Sequence, residues 1–343
     1  MEYSSLSDYD YHLPPELIAQ EPLAERESSR MLVMNRQAET IEHSIFKRLP
    51  GYLQKGDLLI LNNTRVIPAR LYGLIAGKTT AAEILLLHKL PDGDWVAMAK
   101  PGRKLKPGTT VQLDLGVEAL ITGYADKGLR TVRFSAPEPF EEILPRLGKV
   151  PLPPYIKKEV EDPEQYQTIY AAENGSAAAP TAGFHFTGRV FEALQEKGVS
   201  RAFITLHIGP GTFQPVKSQD IRKHVMHQEY YRISTETASK INQVKTAGGR
   251  IIAVGSTACR VLETAVDVTG MINAQEGWTG LYIYPGYSFR LVNAMLTNFH
   301  LPRSSLIMLV SALAGYGQIM NAYRVAVEKK YRFYSFGDCM LIL

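Results

Sequence analysis

Asp57-Leu58-Leu59-Ile60-Leu61, running straight into Asn62-Asn63-Thr64-Arg65, is the stretch from which the fold can be read. A short apolar run that ends in a polar cluster reads as a strand delivering polar groups at its carboxyl end, which is where α/β sheets keep ligands. Before it, the chain alternates short strands with turns. After it, from Arg70 to about Phe134, the texture changes to brief β-rich runs: Glu83 to Leu87, Trp95 to Ala99, Val111 to Leu113, Ala119 to Tyr124 and Arg130 to Phe134. Pro91-Asp92-Gly93, Pro107-Gly108 and Asp126-Lys127-Gly128 are the turn signals between them. That spacing predicts a small barrel or sandwich inserted into the main domain.

Pro151, Pro153 and Pro154 mark a stiff crossing back, because proline fixes φ and extends the residue before it. Beyond them helical and strand patterns alternate. Arg189 to Lys197 reads as a helix, Arg201 to His207 as a strand, Glu236 to Thr246 as a helix closed by Gly248 and Gly249, and Arg250 to Gly255 as a strand. Leu281 to Tyr284 reads as a further strand, and Ser304 to Ala314 and Gln318 to Lys329 as helices. The predicted fold is α/β: a large α/β domain with a mixed sheet, residues 1–69 and 149–343, plus a small inserted all-β, barrel-like domain, residues 70–148. No internal repeat interrupts this order.

Bulk properties agree with a folded chain. At 343 residues one hydrophobic core would be stretched, so two domains are expected, and 45% apolar against 21% charged residues argues against a long disordered tail. Cys259 and Cys339 are too few for a disulfide framework and have no CxxC spacing, which suits a reducing compartment. The start, Met1-Glu2-Tyr3 with Asp8 and Asp10, has neither the basic nor the apolar region of a signal peptide. Leu306 to Ala314, the longest apolar stretch, is far short of the roughly 20 residues that span a bilayer. A soluble, cytoplasmic protein without membrane contact is therefore expected. Net charge is +4 with a pI near 8.8, which permits an anionic partner. The cations cluster: Lys100, Arg103, Lys104 and Lys106 in one loop, then Lys157-Lys158, Arg222-Lys223-His224, and Lys329, Lys330 and Arg332.

Three glycine-bearing turns carry the candidate chemistry. Pro180-Thr181-Ala182-Gly183-Phe184-His185-Phe186-Thr187 precedes a helix and offers backbone N–H groups, a hydroxyl and an imidazole together. Thr205-Leu206-His207-Ile208-Gly209-Pro210-Gly211-Thr212-Phe213 follows a strand, and its glycines allow close approach of a ligand to the backbone. Ile251 to Arg260 reads strand, Gly255-Ser256-Thr257, helix, so that an anion at the helix start meets unpaired N–H groups. One such turn is ordinarily only a turn or a cap; three in one α/β domain point to a ligand site, because such sites collect residues from several strand ends. His185, His207, His227 and His300 invite a metal reading, but there is no HExxH, and His224 and His227 lack an evident third ligand, so no metal is expected.

In those same segments the chain strongly resembles the S-adenosylmethionine:tRNA ribosyltransferase-isomerases of queuosine biosynthesis. The shared strings run nearly end to end: Asp10-Tyr11-His12-Leu13-Pro14 with Ile18-Ala19-Gln20, Asn62 through Arg70, Pro151 through Ile156, Pro180 through Phe186, and Thr205 through Val216. They continue in Met226-His227-Gln228-Glu229-Tyr230, Tyr284-Pro285-Gly286 and Thr297-Asn298-Phe299-His300-Leu301-Pro302. Two places depart from the family. Gly255-Ser256-Thr257-Ala258-Cys259-Arg260 stands where Gly-Thr-Thr-Ser-Val-Arg is usual, and Asp338-Cys339-Met340 where Asp-Ala-Met is usual. The first removes a hydroxyl at 258, and both mark the cysteines as packing residues.

The resemblance implies transfer of the ribosyl part of S-adenosylmethionine, a co-substrate, onto the aminomethyl group of a 7-deazaguanine base in a tRNA anticodon. Epoxyqueuosine forms, and adenine and methionine are released. The sulfonium acidifies the C5′ hydrogens and makes methionine sulfur a good leaving group, so no metal or redox cofactor is called for. The partner implied is tRNA carrying 7-aminomethyl-7-deazaguanine, with the protein a monomer that needs no obligate protein partner. Within this scheme His185, His207 and His300 are the candidates for proton transfer, since imidazoles titrate near neutrality. Thr257 is the candidate for the methionine carboxylate and Glu229 or Glu263 for its ammonium. Arg65 and Arg260 are assigned to ribose hydroxyls or a tRNA phosphate, with a structural ion pair as the alternative. Phe184, Phe186 and Phe213 are candidates for stacking on adenine or the modified base, with core packing as the alternative. Asn62, Thr181, Gly209, Gly211 and Thr212 complete the expected binding residues, and Lys100, Arg103, Lys104 and Lys106 are expected to grip the tRNA stem. An RNA-binding protein that has lost activity and a methyltransferase are the competing readings. No Gly-rich turn follows the first strand as it does in common methyltransferases.

Overall fold

The structure, a computed structural model, describes residues 3–158, 160, 162–209 and 216–343. The chain divides into two compact units, one formed by residues 1–64, 154–173 and 180–343, the other by residues 65–153 and 174–179.

In the first unit, β1 (Arg30–Asn35), β2 (Thr40–Ile45) and β3 (Leu58–Asn62) precede β4 (Thr64–Val66), within which the chain passes to the second unit. The second unit holds β5 (Arg70–Ile75), β6 (Ala81–Lys89), β7 (Trp95–Lys100), β8 (Thr110–Leu113), β9 (Glu118–Tyr124), β10 (Arg130–Ser135) and the helix α1 (Phe140–Leu147). After β11 (Glu173–Ser176), which spans another unit boundary, the first unit continues with α2 (Gly188–Glu196), β12 (Ser200–Leu206), β13 (Glu229–Ile233) and α3 (Thr235–Thr246). It closes with β14 (Ile251–Val254), α4 (Gly255–Ala265), β15 (Gln275–Thr279), β16 (Ala294–Asn298), α5 (Ser305–Ala314), α6 (Tyr316–Glu328) and β17 (Cys339–Ile342).

Nine strands form one mixed sheet in the order β15-β13-β12-β3-β14-β16-β17-β1-β2. The central strands β12, β3, β14 and β16 run parallel to one another. Their sequences explain the placement: β3, β14 and β16 are buried at every residue, as continuous apolar runs require when both faces of a parallel sheet are covered. β2 and β15, both of which carry exposed residues, take the edges. At the amino end of β3 the fully buried Asp57 accepts from Arg250 Nε and Nη2 at 2.9 and 2.6 Å and from the Gln54 N–H at 2.8 Å, fastening β3 to the start of β14. Three of the helices start at polar caps. Thr187, Ser234 and Ser304 accept from backbone N–H groups of the first turns of α2, α3 and α5.

The second unit is a closed barrel, β10-β7-β6-β5-β8-β9, antiparallel throughout. Leu71, Ile84, Ala97, Val111, Ile121 and Val132 fill its core, and Phe140 of α1 stacks on Phe134 at 3.9 Å between ring centroids. The mixed sheet and the barrel are as the sequence predicts. Several elements lie outside the expected set, among them α1, β13, β15, β16 and β17, and two departures have a local cause. β5 was not among the five runs expected in this region, because Tyr72 and Leu74 are exposed on its outer side and so blur the alternation. Leu281 to Tyr284 is not a strand; the strand is β15, just upstream. The backbone of Leu281 bonds to side chains instead, its N–H to Thr279 Oγ1 at 3.2 Å and its carbonyl to Arg260 Nε at 2.9 Å. No single helix among the described residues is long and apolar enough to cross a membrane.

Candidate active site at the carboxyl ends of the parallel strands

The carboxyl ends of β12, β3, β14 and β16 bring Leu206, Asn62, Val254 and Asn298 to one edge of the sheet. The candidate residues of the first unit collect there. Asn62 uses its whole amide: Oδ1 accepts from the N–H of Leu206 at 2.9 Å and of Thr64 at 3.2 Å, while Nδ2 donates to Leu206 O at 3.0 Å and Thr257 Oγ1 at 3.3 Å. It thereby ties two strand ends to the first turn of α4. Gly255 makes that turn possible, since its φ of +87° between strand and helix would strain any other residue. In the neighbouring turn, a Cβ on Gly183 would lie 2.0 Å from the Tyr170 hydroxyl oxygen, so only glycine fits there.

The three imidazoles stand in different circumstances. His185 is buried between Ser29 Oγ, 2.7 Å from Nδ1, and Asn298 Oδ1, 2.9 Å from Nε2. Asn298 Nδ2 donates to the carbonyls of Tyr334 and Ser335, so Oδ1 can only accept, and Nε2 of His185 carries the proton. Nδ1 then accepts from Ser29, and neither nitrogen is left over. His300 is likewise closed in: Nε2 meets Thr297 Oγ1 at 3.0 Å and Nδ1 meets the Tyr323 hydroxyl at 3.1 Å. His207, partly exposed just past β12, has its ring against Tyr230 at 5.7 Å and its Nδ1 2.8 Å from Thr64 Oγ1. The Thr64 hydroxyl also lies 3.5 Å from Glu173 O, so it can donate there and accept from Nδ1, the arrangement of the Nδ1–H tautomer. Nε2 of His207 then presents a lone pair, and no partner bonds it among the described residues.

Glu229 and Arg260 form a buried ion pair. Glu229 Oε1 accepts the Gly209 N–H at 3.0 Å, and Arg260 donates also to Leu281 O at 2.9 Å and Thr279 O at 3.3 Å. Glu263 is surrounded by a turn: Oε1 accepts from the N–H groups of Leu291 and Val292 at 3.0 and 2.9 Å, and Oε2 from the Arg290 N–H at 2.9 Å and the Tyr287 hydroxyl at 3.1 Å. Thr181 opens the turn before His185 and is partly exposed. Phe184 packs on Tyr166 and Phe336, and Phe186, fully buried, on Phe46 and Phe191. Gly211, Thr212 and Phe213 lie outside the described residues. Arg65 stands in β4 and belongs to the second unit, as do Lys100, Arg103, Lys104 and Lys106, all four exposed. Thr64, Ser29 and Asn298, which hold the imidazoles, were not among the expected site residues. Among the described residues no three His, Cys, Asp or Glu side chains converge as a metal-ligating group.

A family model described as queuosine biosynthesis protein matches residues 6–342. The chain belongs to that family. It is 51% identical over 339 residues to the S-adenosylmethionine:tRNA ribosyltransferase-isomerase of Desulfitobacterium hafniense, covering 98% of this chain and 99% of that protein. The corresponding protein of Acetivibrio thermocellus is also 51% identical, over 338 residues, with the same coverage. The crystal structure of S-adenosylmethionine tRNA ribosyltransferase from Thermotoga maritima matches with 38% identity and a TM-score of 0.56, covering 98% of this chain and 100% of that one.

In this queuosine biosynthesis protein the electrostatics separate the imidazoles further. Burial pushes His185 down from 6.5 to about 4 and His300 to about 3. Burial also lowers His207, against the pull of the Glu173 carboxylate, so its neutral base form prevails at neutral pH. The two buried thiols, Cys259 and Cys339, are pushed well up by burial and stay protonated. A pH dependence of stability follows from His185 and His300. Unfolded, both take up a proton near 6.5; folded, they stay neutral to about 4 and about 3. The stability contributed by these two neutral imidazoles is therefore full above 6.5 and is lost as pH falls towards 4. Denaturant unfolding at about pH 7 and about pH 5 should show the loss; equal stability at both would contradict the burial of neutral imidazoles.

Proposed function

We infer that this protein transfers and isomerises the ribosyl moiety of S-adenosylmethionine onto 7-aminomethyl-7-deazaguanine at the wobble position of a tRNA anticodon, giving epoxyqueuosine, adenine and methionine. Full-length membership in the family supports the reaction, and one observation carries the assignment of chemistry: among the described residues nothing bonds His207 Nε2 where the parallel strands end, while His185 and His300 have both nitrogens engaged.

His207 is the base of this reading. Its Nδ1 lies against Thr64 and burial favours the neutral imidazole, so in the Nδ1–H tautomer its Nε2 can take the C5′ proton that the sulfonium acidifies. The imidazolium formed can return that proton to the departing adenine. The substrate's aminomethyl nitrogen bonds to the sugar, and methionine sulfur leaves with the C–S electron pair. Thr257, at the start of α4, faces the same edge and is the candidate for the methionine carboxylate. Such an enzyme works where tRNA is modified, in the cytoplasm, and Lys100, Arg103, Lys104 and Lys106 are its candidates for phosphate contacts.

Adenine release tests the reading. Purified protein with S-adenosylmethionine and tRNA bearing the aminomethyl base should liberate adenine in proportion to tRNA modified. Formation of S-adenosylhomocysteine would mean methyl transfer, and neither product would leave an RNA-binding protein without activity.

A further inference from the structure

We propose that Tyr124 is a stacking platform for an unpaired RNA base, built into the barrel beside the cationic loop. The inference rests on the reading that the substrate is tRNA and goes beyond it by naming a contact that phosphate attraction alone does not supply. Tyr124, at the end of β9, is 61% exposed, whereas the aromatic rings of Trp95 and Phe140 are buried in the barrel core. One face of its ring is covered by the guanidinium of Arg130, whose central carbon lies 4.6 Å from the ring centroid.

Arg130 is almost wholly buried, and all of its hydrogen bonds go to backbone carbonyls: Nε to Leu105 at 2.7 Å, Nη2 to Gly102 at 2.8 Å, and Nη1 to Gly128 at 2.6 Å and Leu129 at 3.1 Å. The two carbonyls in the first loop flank Arg103 and Lys104, and Leu105 between Lys104 and Lys106 is fully buried in the barrel core. One guanidinium thus joins the loop that displays four exposed cations to the strand end that displays the ring. The geometry is that of single-strand recognition: cations for the backbone, and a flat ring, braced from behind, for a base that is free to stack. An anticodon loop supplies such bases, whereas the bases of a paired stem are stacked within the helix and not free to meet a ring.

The test compares affinity for an anticodon stem-loop RNA and for double-stranded RNA of matched length, each over a range of salt. Tyr124→Ala should weaken stem-loop binding about tenfold, leave duplex binding near wild type and leave the salt slope unchanged; Tyr124→Phe should bind as wild type. Replacing Lys100, Arg103, Lys104 and Lys106 together by alanine should weaken both RNAs and flatten the salt slope by about three to four units. Wild-type binding of both RNAs by Tyr124→Ala overturns the proposal, as does an equal loss on both, which would make the ring a mere support for the loop. If only the charge variant keeps wild-type binding, the phosphate role of the loop fails while the stacking platform stands. Thermal midpoints of all variants, measured alongside, separate lost contact from lost fold.

Discussion

His207→Gln is expected to slow turnover by two to four orders of magnitude, about the contribution of a positioned general base, while tRNA affinity and the unfolding midpoint stay near wild type. Glutamine keeps a polar group of similar reach beside Thr64, so the strand end is preserved, but it cannot hold a proton taken from C5′. The expectation is specific because the other two imidazoles are closed. His185→Gln disturbs the bonds to Ser29 and Asn298, so its first effect should fall on stability, with activity lost only as far as the fold is. Single-turnover rates and denaturation curves on both variants separate the cases. Near-normal turnover in the His207 variant would remove it as the base, and a rate collapse in a fully stable His185 variant would return that role to His185.

The largest effect on stability is expected from Glu263→Ala. Three backbone N–H groups, of Arg290, Leu291 and Val292, and the Tyr287 hydroxyl all donate to this one buried carboxylate. Removing it leaves those donors without an acceptor where water is excluded, at about 1 to 3 kcal/mol for each buried group. A loss of at least about 3 kcal/mol follows, a large fraction of the total stability of an ordinary domain, about 5 to 15 kcal/mol. Glu263→Gln, which keeps one acceptor oxygen, should lose less. The shift in urea midpoint measures both, and a change below about 0.5 kcal/mol for alanine, the range of an unremarkable surface substitution, would mean that the turn has other partners.

The strands Leu58–Asn62 and Ile251–Val254 were legible because burial on both faces demands continuous apolar runs, which both supply; Ala294–Asn298, equally buried, was not read as a strand. The polar residues that end those runs announced the ligand edge for the same reason. β5 escaped because outward Tyr72 and Leu74 hide its period of two, and Leu281 to Tyr284 misled because an apolar run says nothing about where its backbone hydrogen bonds go. At the site the sequence named the imidazoles but not their states. Ser29 and Asn298 stand 156 and 113 positions from the His185 they hold, and Thr64 stands 143 from His207. No local pattern encodes such pairings; they come from the order of strands in the sheet. The same holds for Glu229 and Arg260, 31 positions apart, whose opposite charges were visible while their mutual burial was not.

The most direct measurement is the mass of the wobble nucleoside after tRNA bearing the aminomethyl base has been incubated with S-adenosylmethionine and either wild-type protein or His207→Gln, then digested. Wild type should convert the nucleoside to one heavier by the sugar-derived epoxycyclopentanediol unit, and the variant should leave it essentially unconverted. An unchanged nucleoside with the folded wild-type protein, or one heavier by a single methyl group, would contradict the account.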